Sequence, residues 1–249
     1  MTDPESDPAE LFHENSKITP FDVGADLDDL PPIEPGVFLG RVRLPKVSAV
    51  RGVELEEAVL GRVTCRDYDP RVPLSQDLLS RLLAFGCGFT APSNFPLPSV
   101  PFRRAAPSAG ATYPLEIYPV VLRALNIRPG VYHYANIDHS LELLRPGDFR
   151  TQLAEWTLGQ PYIADASVVF VIAGFPGRIR PRYKERGYRY MLLEAGHVAQ
   201  NFYLLSTAYG LGATADGGFV DAAFNRLLGL NDITEIALYN VAVGVPRPA

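Results

Sequence analysis

Three residues of the segment GRVTCRDY, Arg62, Thr64 and Arg66, alternate at i, i+2 and i+4. In an extended chain all three point to one side. Two guanidiniums flanking a hydroxyl form a phosphate clamp, because arginine can grip phosphate through paired N–H donors. On a solvated edge the same arginines would instead pair with Asp67 and Asp69. A second group is APSAGATYPLE, in which Pro107, Ser108, Ala109 and Gly110 lead into an apolar run. Small residues cost packing and backbone entropy, so a chain places them where something flat or bulky must lie close to the backbone. A third is GLGATADGGF, Gly210 to Phe219. A dinucleotide fingerprint needs a strand before it and a helix after it, whereas this cluster follows a helical pattern. It reads either as a helix C-cap with a turn, or as a loop in which Gly217 and Gly218 bring backbone N–H groups against a ligand.

Tyr183, Arg186, Tyr190, Glu194 and His197 recur at helical spacing. His197 reads as a core histidine or as a catalyst, with Glu194 at i,i+3 as its partner. No HExxH occurs, and His13, His133 and His139 are scattered, so no metal site is expected. No GxSxG elbow is present for a serine hydrolase. Cys65 and Cys87 are the two cysteines of the chain, too few for a disulfide framework or a cysteine zinc site.

The elements that must position these groups follow from periodicity. Residues 53–60 suit a short helix. Ser75 caps a second helix with Leu78, Leu79, Leu82, Leu83 and Phe85 on its apolar side, ended by Gly86 or Gly88. Residues 89–107 carry five prolines and read as a long irregular stretch. Residues 115–122 form a strand, 130–134 and 140–144 a hairpin, and 149–158 a helix. The unbroken apolar run 166–173 predicts a strand buried on both faces. Residues 182–209 read as one helix, roughly 40 Å long at 1.5 Å per residue. Such a helix crosses the whole domain and needs cover on both flanks. A short helix, 221–228, and a final strand, 235–243, complete an α+β pattern without repeats.

The 249 residues are 47% apolar and carry a net charge of −5, globular values that argue for neither nucleic acid nor membrane. The charge is uneven: residues 1–36 hold ten acids and one lysine. Residues 1–50 are therefore expected to be an acidic, Pro-rich arm, loosely held, that wraps a partner or docks a basic surface, and residues 51–249 the folded body. The slightly basic body suits an anionic small ligand. The N-terminus is no signal peptide, and the cytoplasm is the default compartment.

In chain order these segments are R-x-T-x-R, RRAAPSAGATYPLEIY, GVYHY with HSLELL, ERGYRYMLLEAGHVAQN, GLGATADGGF and NVAVGVP. Together they resemble the nitroreductase-fold flavoproteins, specifically the SagB-type azoline dehydrogenases. These include oxidases of thiazole- and oxazole-modified peptides and oxidase domains of nonribosomal synthetases. The resemblance covers about residues 60–245 and is most specific in APSAGATYPLE and RGYRYMLLEAGH. It implies a nitroreductase-like α+β fold, with a mostly antiparallel central sheet, surrounding helices and a long central helix, assembled as an obligate homodimer with FMN at the interface.

In that resemblance Arg62, Thr64 and Arg66 match the phosphate- and ribityl-binding segment. Pro107, Ser108, Ala109 and Gly110 would admit the isoalloxazine ring, and Gly217 and Gly218 match the loop whose amide faces flavin N5. The implied reaction is two-electron oxidation of a thiazoline or oxazoline in a heterocyclised peptide or carrier-bound substrate, with O2 as the usual electron sink and other biosynthetic enzymes as partners. The family carries a Lys-Tyr pair before the RGYR segment. Here that pair is Arg182-Tyr183, with Lys184 following. An arginine stays protonated and cannot serve as a base. The expectation is therefore that Tyr183 is the base, with Arg182 or Lys184 stabilising its anion. The departure keeps two alternatives in view: another flavin reaction on a small conjugated substrate, and a flavin-free scaffold in a biosynthetic complex.

Overall fold

The computed structural model describes residues 11–14, 17, 37–48, 53–92 and 102–248. Nine strands and seven helices are used below. They are β1 (Gly40–Arg43), α1 (Leu55–Gly61), α2 (Gln76–Gly86), β2 (Phe89–Pro92), β3 (Phe102–Arg104), β4 (Leu115–Val121), β5 (Gly130–Ala135), β6 (Ser140–Pro146), α3 (Arg150–Trp156), α4 (Tyr162–Asp165), β7 (Val168–Gly174), α5 (Pro176–Tyr183), α6 (Arg186–Ala208), β8 (Gly212–Asp216), α7 (Asp221–Leu228) and β9 (Ile236–Gly244). Seven strands form one sheet in the order β1-β6-β5-β4-β7-β9-β8, and β2 pairs with β3. Every pairing between these strands is antiparallel.

The central strand β7 explains the layering. Val168, Phe170 and Ile172 face one core, and Val169, Val171 and Ala173 face the other. Side chains of a strand alternate between faces, so an unbroken apolar run requires cover on both sides. On the first side α2 and α6 supply Leu79, Leu82, Leu83, Met191, Ala195, Val198 and Phe202. Phe202 stacks on Phe170 with centroids 4.4 Å apart. Gly86 leaves room for it, since a Cβ there would lie 2.7 Å from the Phe202 ring. On the second side α3, α4 and α7 bury Leu153, Trp156, Ile163, Phe224 and Leu227. Burial of each such side chain contributes about 1.5–3 kcal/mol.

Local signals place several elements as expected. Ser75 caps α2 by accepting the Leu78 N–H at 3.2 Å, and α7 spans the residues its pattern predicts. Four expectations change. The irregular stretch after Phe89 contains the β2–β3 pair; residues 93–101 lie outside the described residues. The predicted helix over 182–209 is two helices, broken at Lys184 with φ 50°. Gly187 permits the fold-back, because a Cβ there would lie 3.0 Å from Ile179 of α5. The segment 212–216, expected as a turn, is the edge strand β8. Within the N-terminal arm, His13 is buried and hydrogen-bonds Tyr188 Oη at 3.0 Å, while Lys17 pairs with Asp232 at 3.2 Å. That stretch therefore docks on the body of the same chain, and Gly40–Arg43, inside the expected arm, belongs to the body as edge strand β1 paired with β6. The rest of residues 1–36 lies outside the described residues.

Candidate functional site

The structure gathers the predicted residues into two groups, both set along α6. The first lies at its C-terminal part. Cys65 N donates to Ala213 O at 2.9 Å, Thr64 bridges Ala213 in parallel, and Thr214 Oγ1 donates to Cys65 O. Gly212 admits this close approach, since a Cβ there would lie 2.5 Å from Cys65 Sγ. The clamp segment is thereby tied to β8, whose end continues into Gly217 and Gly218.

Arg62 lies over the Tyr203 ring at 5.5 Å, and Arg66 lies over the Tyr162 ring at 5.9 Å. Thr64 Oγ1 is 3.5 Å from Tyr203 Oη, which in turn accepts the Ala215 N–H at 2.7 Å. Among the described residues neither Arg62 nor Arg66 has a carboxylate partner; Asp67 pairs with Arg247 and Asp69 with Arg71. The solvated-edge pairing is thus replaced by two guanidiniums held over aromatic faces. Burial raises Tyr162 above its ordinary value, and Arg66 opposes that rise. Gly217 is exposed, whereas the Gly218 N–H is taken by Asp216 Oδ1 at 2.9 Å. Gln160 Nε2 donates to the same oxygen at 3.3 Å, and burial raises the Asp216 carboxyl above its usual range. Gly217 is therefore the glycine with an amide to offer, and Gly218 shapes the loop.

The second group lies against the N-terminal part of α6. Ala109–Ala111 form a single helical turn preceded by Ser108, whose Oγ accepts the Tyr113 N–H at 2.9 Å. Gly110, Ala111 and Tyr113 have φ of 57°, 53° and 45°. Left-handed backbone costs a side-chain-bearing residue roughly 1–2 kcal/mol. Such strain persists where the surroundings over-determine it. Arg182 Nη1 donates to Gly110 O at 3.1 Å, and a Cβ on Gly110 would lie 2.5 Å from Tyr183 Oη. Arg182 also lies over the Tyr183 ring at 5.6 Å, and that ring meets Tyr190 edge-on at 5.1 Å. Arg182, Tyr183 and Gly110 thus form one cluster. Lys184, at the α5–α6 break, is exposed. Pro107 is exposed, and Ser108, Ala109 and Gly110 are half-buried.

Glu194 differs from its expected role. It is 4% exposed, whereas His197 is exposed, so the predicted pair does not bury together and His197 is no core histidine. Burial pushes the Glu194 carboxyl up to about 7, opposed by the nearby Ser108 hydroxyl and the Arg104 charge. Its Oε2 has no hydrogen-bond partner among the described residues. Sequence reasoning also missed Tyr203 and Tyr162. Tyr203 lies on α6 and Tyr162 on the short α4, and only the docking of residues 62–66 reveals their part.

Glu194 and Tyr203 are nine positions apart on α6, or about 14 Å along the axis at 1.5 Å per residue. The two groups therefore stand apart on one chain. No cluster of three or more His, Cys, Asp or Glu side chains suited to a metal occurs among the described residues. Both cysteines are free, and burial pushes the Cys87 thiol up to about 12. No helix among the described residues is long and apolar enough to cross a membrane.

The chain thus sets a seven-stranded antiparallel sheet under a long helix, with arginines and a glycine loop at one end of that helix. The chain belongs to the nitroreductase family, whose profile matches residues 59–245. It is 35% identical to the nitroreductase-family protein MJ1384 of Methanocaldococcus jannaschii over 191 residues, 77% of this chain and 90% of that one. It is 29% identical to the microcin B17-processing protein McbC of Escherichia coli over 143 residues, 53% of this chain and half of that protein. In fold it matches a chain of the E. coli microcin synthetase McbBCD complex, with truncated pro-MccB17 bound, at a TM-score of 0.68 and 21% identity. That match covers 99% of this chain and 95% of the other.

Proposed function

We propose that this chain is an FMN-dependent oxidoreductase that oxidises a thiazoline or oxazoline ring to the azole in a heterocyclised peptide or carrier-bound substrate. The observation that carries the reading is the cluster in which Arg182 and Tyr183 sit on the strained Gly110 turn, within the segment of small residues. The donor chemistry fits FMN. Arg62, Thr64 and Arg66 would hold the phosphate, since guanidiniums without carboxylate partners keep their donors for an anion. Gly217 would offer its backbone N–H, and Pro107, Ser108, Ala109 and Gly110 would lie against the flat ring. FMN, when bound, supplies the two-electron redox chemistry.

The protein's own contribution is geometry and proton transfer. Tyr183 removes one ring proton as the ring loses two hydrogens in all. Arg182, fixed by Gly110 O and lying over the phenol ring, would favour the phenolate form of Tyr183 that accepts this proton. Lys184 adds a positive charge one residue further on.

A homodimer fits the separation of the two groups on α6, the turn of one chain meeting the clamp of its partner. Leu55, Leu60, Val63 and Leu193 are 64%, 85%, 68% and 56% exposed, an apolar surface that a second copy would cover. The name of McbC, a microcin-processing protein, supports a modified peptide as substrate. Arg182 in the lysine position favours a second reading, a flavin reaction on another small conjugated substrate.

The test is incubation of the yellow protein with an azoline peptide, followed by mass analysis for loss of two hydrogens. In the Tyr183→Phe variant with FMN retained, that loss is expected to fall at least 100-fold, the lower end of the range for a general base. Oxidation at the parent rate would remove Tyr183 from the mechanism. A colourless protein that refuses FMN would favour the scaffold reading.

A further inference from the structure

We infer that Tyr203 is a positioning residue that orients the Thr64 hydroxyl and the Arg62 guanidinium as donors toward an anionic phosphate, thereby setting the preference for a phosphorylated flavin. The inference rests on the FMN reading above. It begins with proton bookkeeping. Tyr203 Oη accepts the Ala215 N–H at 2.7 Å, so its acceptor side is engaged. Either hydroxyl could donate across the 3.5 Å Tyr203 Oη–Thr64 Oγ1 pair; with Tyr203 already accepting from Ala215, Tyr203 is taken as that donor. A Thr64 oxygen that accepts from Tyr203 has its own proton left to donate, and a phosphate, which carries acceptors alone, takes such a donor.

The ring of Tyr203 does separate work. Arg62 lies over its face at 5.5 Å, within the range of cation–π attraction. That contact restrains a long side chain without using any of its N–H donors, so the guanidinium fork stays available. A carboxylate in the same place would restrain Arg62 equally well but would consume the donors and repel the phosphate. Tyr203 thus links the clamp, through Arg62 and Thr64, to β8 and so to the loop that carries Gly217. Tyr203 stands one α-helical turn before Thr207, whose Oγ1 caps back onto Tyr203 O at 3.0 Å.

The test compares FMN with riboflavin, which lacks the phosphate. Kd for each is measured by flavin fluorescence in the parent, Tyr203→Phe, Thr64→Val and the double variant. Removing one charge-assisted hydrogen bond should weaken FMN about ten-fold in Tyr203→Phe. Riboflavin affinity should stay within about two-fold, since a net hydrogen bond is not lost to it. Because Tyr203 acts through Thr64, the double variant should lose no more than Thr64→Val alone. Equal losses for the two ligands, or losses that add, would overturn the role of Tyr203 while leaving FMN binding in place. Failure of the parent to bind FMN would remove the FMN reading itself and this inference with it. Tyr203→Trp, which keeps an aromatic face but no phenol, should keep the Arg62 contribution and show the same selective loss if it folds.

Discussion

Around Tyr203 the candidate site offers guanidiniums, hydroxyls and an exposed glycine amide, all of them donors. Nine residues earlier on the same helix it buries a carboxyl, Glu194, beside a turn in which three of four successive residues have positive φ. The first group is cheap to build. Its arginines remain partly or fully exposed and rest on aromatic faces, so little desolvation is required. The second is expensive, combining backbone strain with a buried acid whose Oε2 lacks a partner among the described residues. On the proposed reading, the contrast teaches that binding an anion and shaping a reaction surface make different demands. Affinity can be assembled from solvated cations, while a reacting surface needs groups fixed in place by packing that tolerates strain.

Replacing both Arg62 and Arg66 by Ala tests the first group most severely. Two charge-assisted bonds at about 2 kcal/mol each predict a loss of FMN affinity near 1,000-fold, read by fluorescence titration. The folding midpoint should hardly move. If affinity survives, the phosphate is held elsewhere and the contrast between the groups collapses.

Glu194 tests the second group through pH. Its folded-state value, about 7, lies above the ordinary 4.5. Between those values the folded state holds a proton that the unfolded state has released, so stability falls as pH rises from 4.5 through 7. The shift corresponds to roughly 3 kcal/mol lost at pH 8 relative to pH 4 from this group. Glu194→Gln removes the titration, so denaturation midpoints of variant and parent should diverge in the variant's favour as pH is raised from 5 to 8. Parallel profiles would mean that Glu194 is ionised without penalty.

A smaller effect comes from Gly110→Ala. The backbone there has φ 57°, and the new Cβ would meet Tyr183 Oη at 2.5 Å and Arg182 Nη1 at 2.8 Å. The expected cost is about 2 kcal/mol of stability, measured by urea unfolding, with reduced azoline oxidation as Tyr183 is displaced. Unchanged stability would show that Tyr183 does not rest on this turn, and would remove the strain from the comparison.

Much of the candidate site's content was legible in local order. The alternation of Arg62, Thr64 and Arg66, the small residues of 107–110 and the pair Arg182-Tyr183 are properties of short segments, and chemistry follows from residue type at that range. The fold was legible where a signal is local too: Ser75 capping α2, the hairpin of β5 and β6, the double-sided burial of β7. Three readings failed for one reason. Residues 212–216 look like a glycine-rich turn until β9 and the clamp segment pair with them. The helix 182–209 has no local breaker at Lys184; α5 folds back because Gly187 lets Ile179 approach. Glu194 looked like a partner for His197, yet what surrounds it is Ser108 and Arg104, far away in sequence.

The amino-acid order by itself thus determined which groups this protein has available, because capping, alternation and residue chemistry act over a few positions. Only the tertiary structure decided which of them meet. The contact of Thr64 with Tyr203 joins residues 139 positions apart, and the burial of Glu194 depends on what packs over it. Both are set by the packing of α6 and its neighbours on the sheet, a collective balance of burial and chain entropy that no short segment carries.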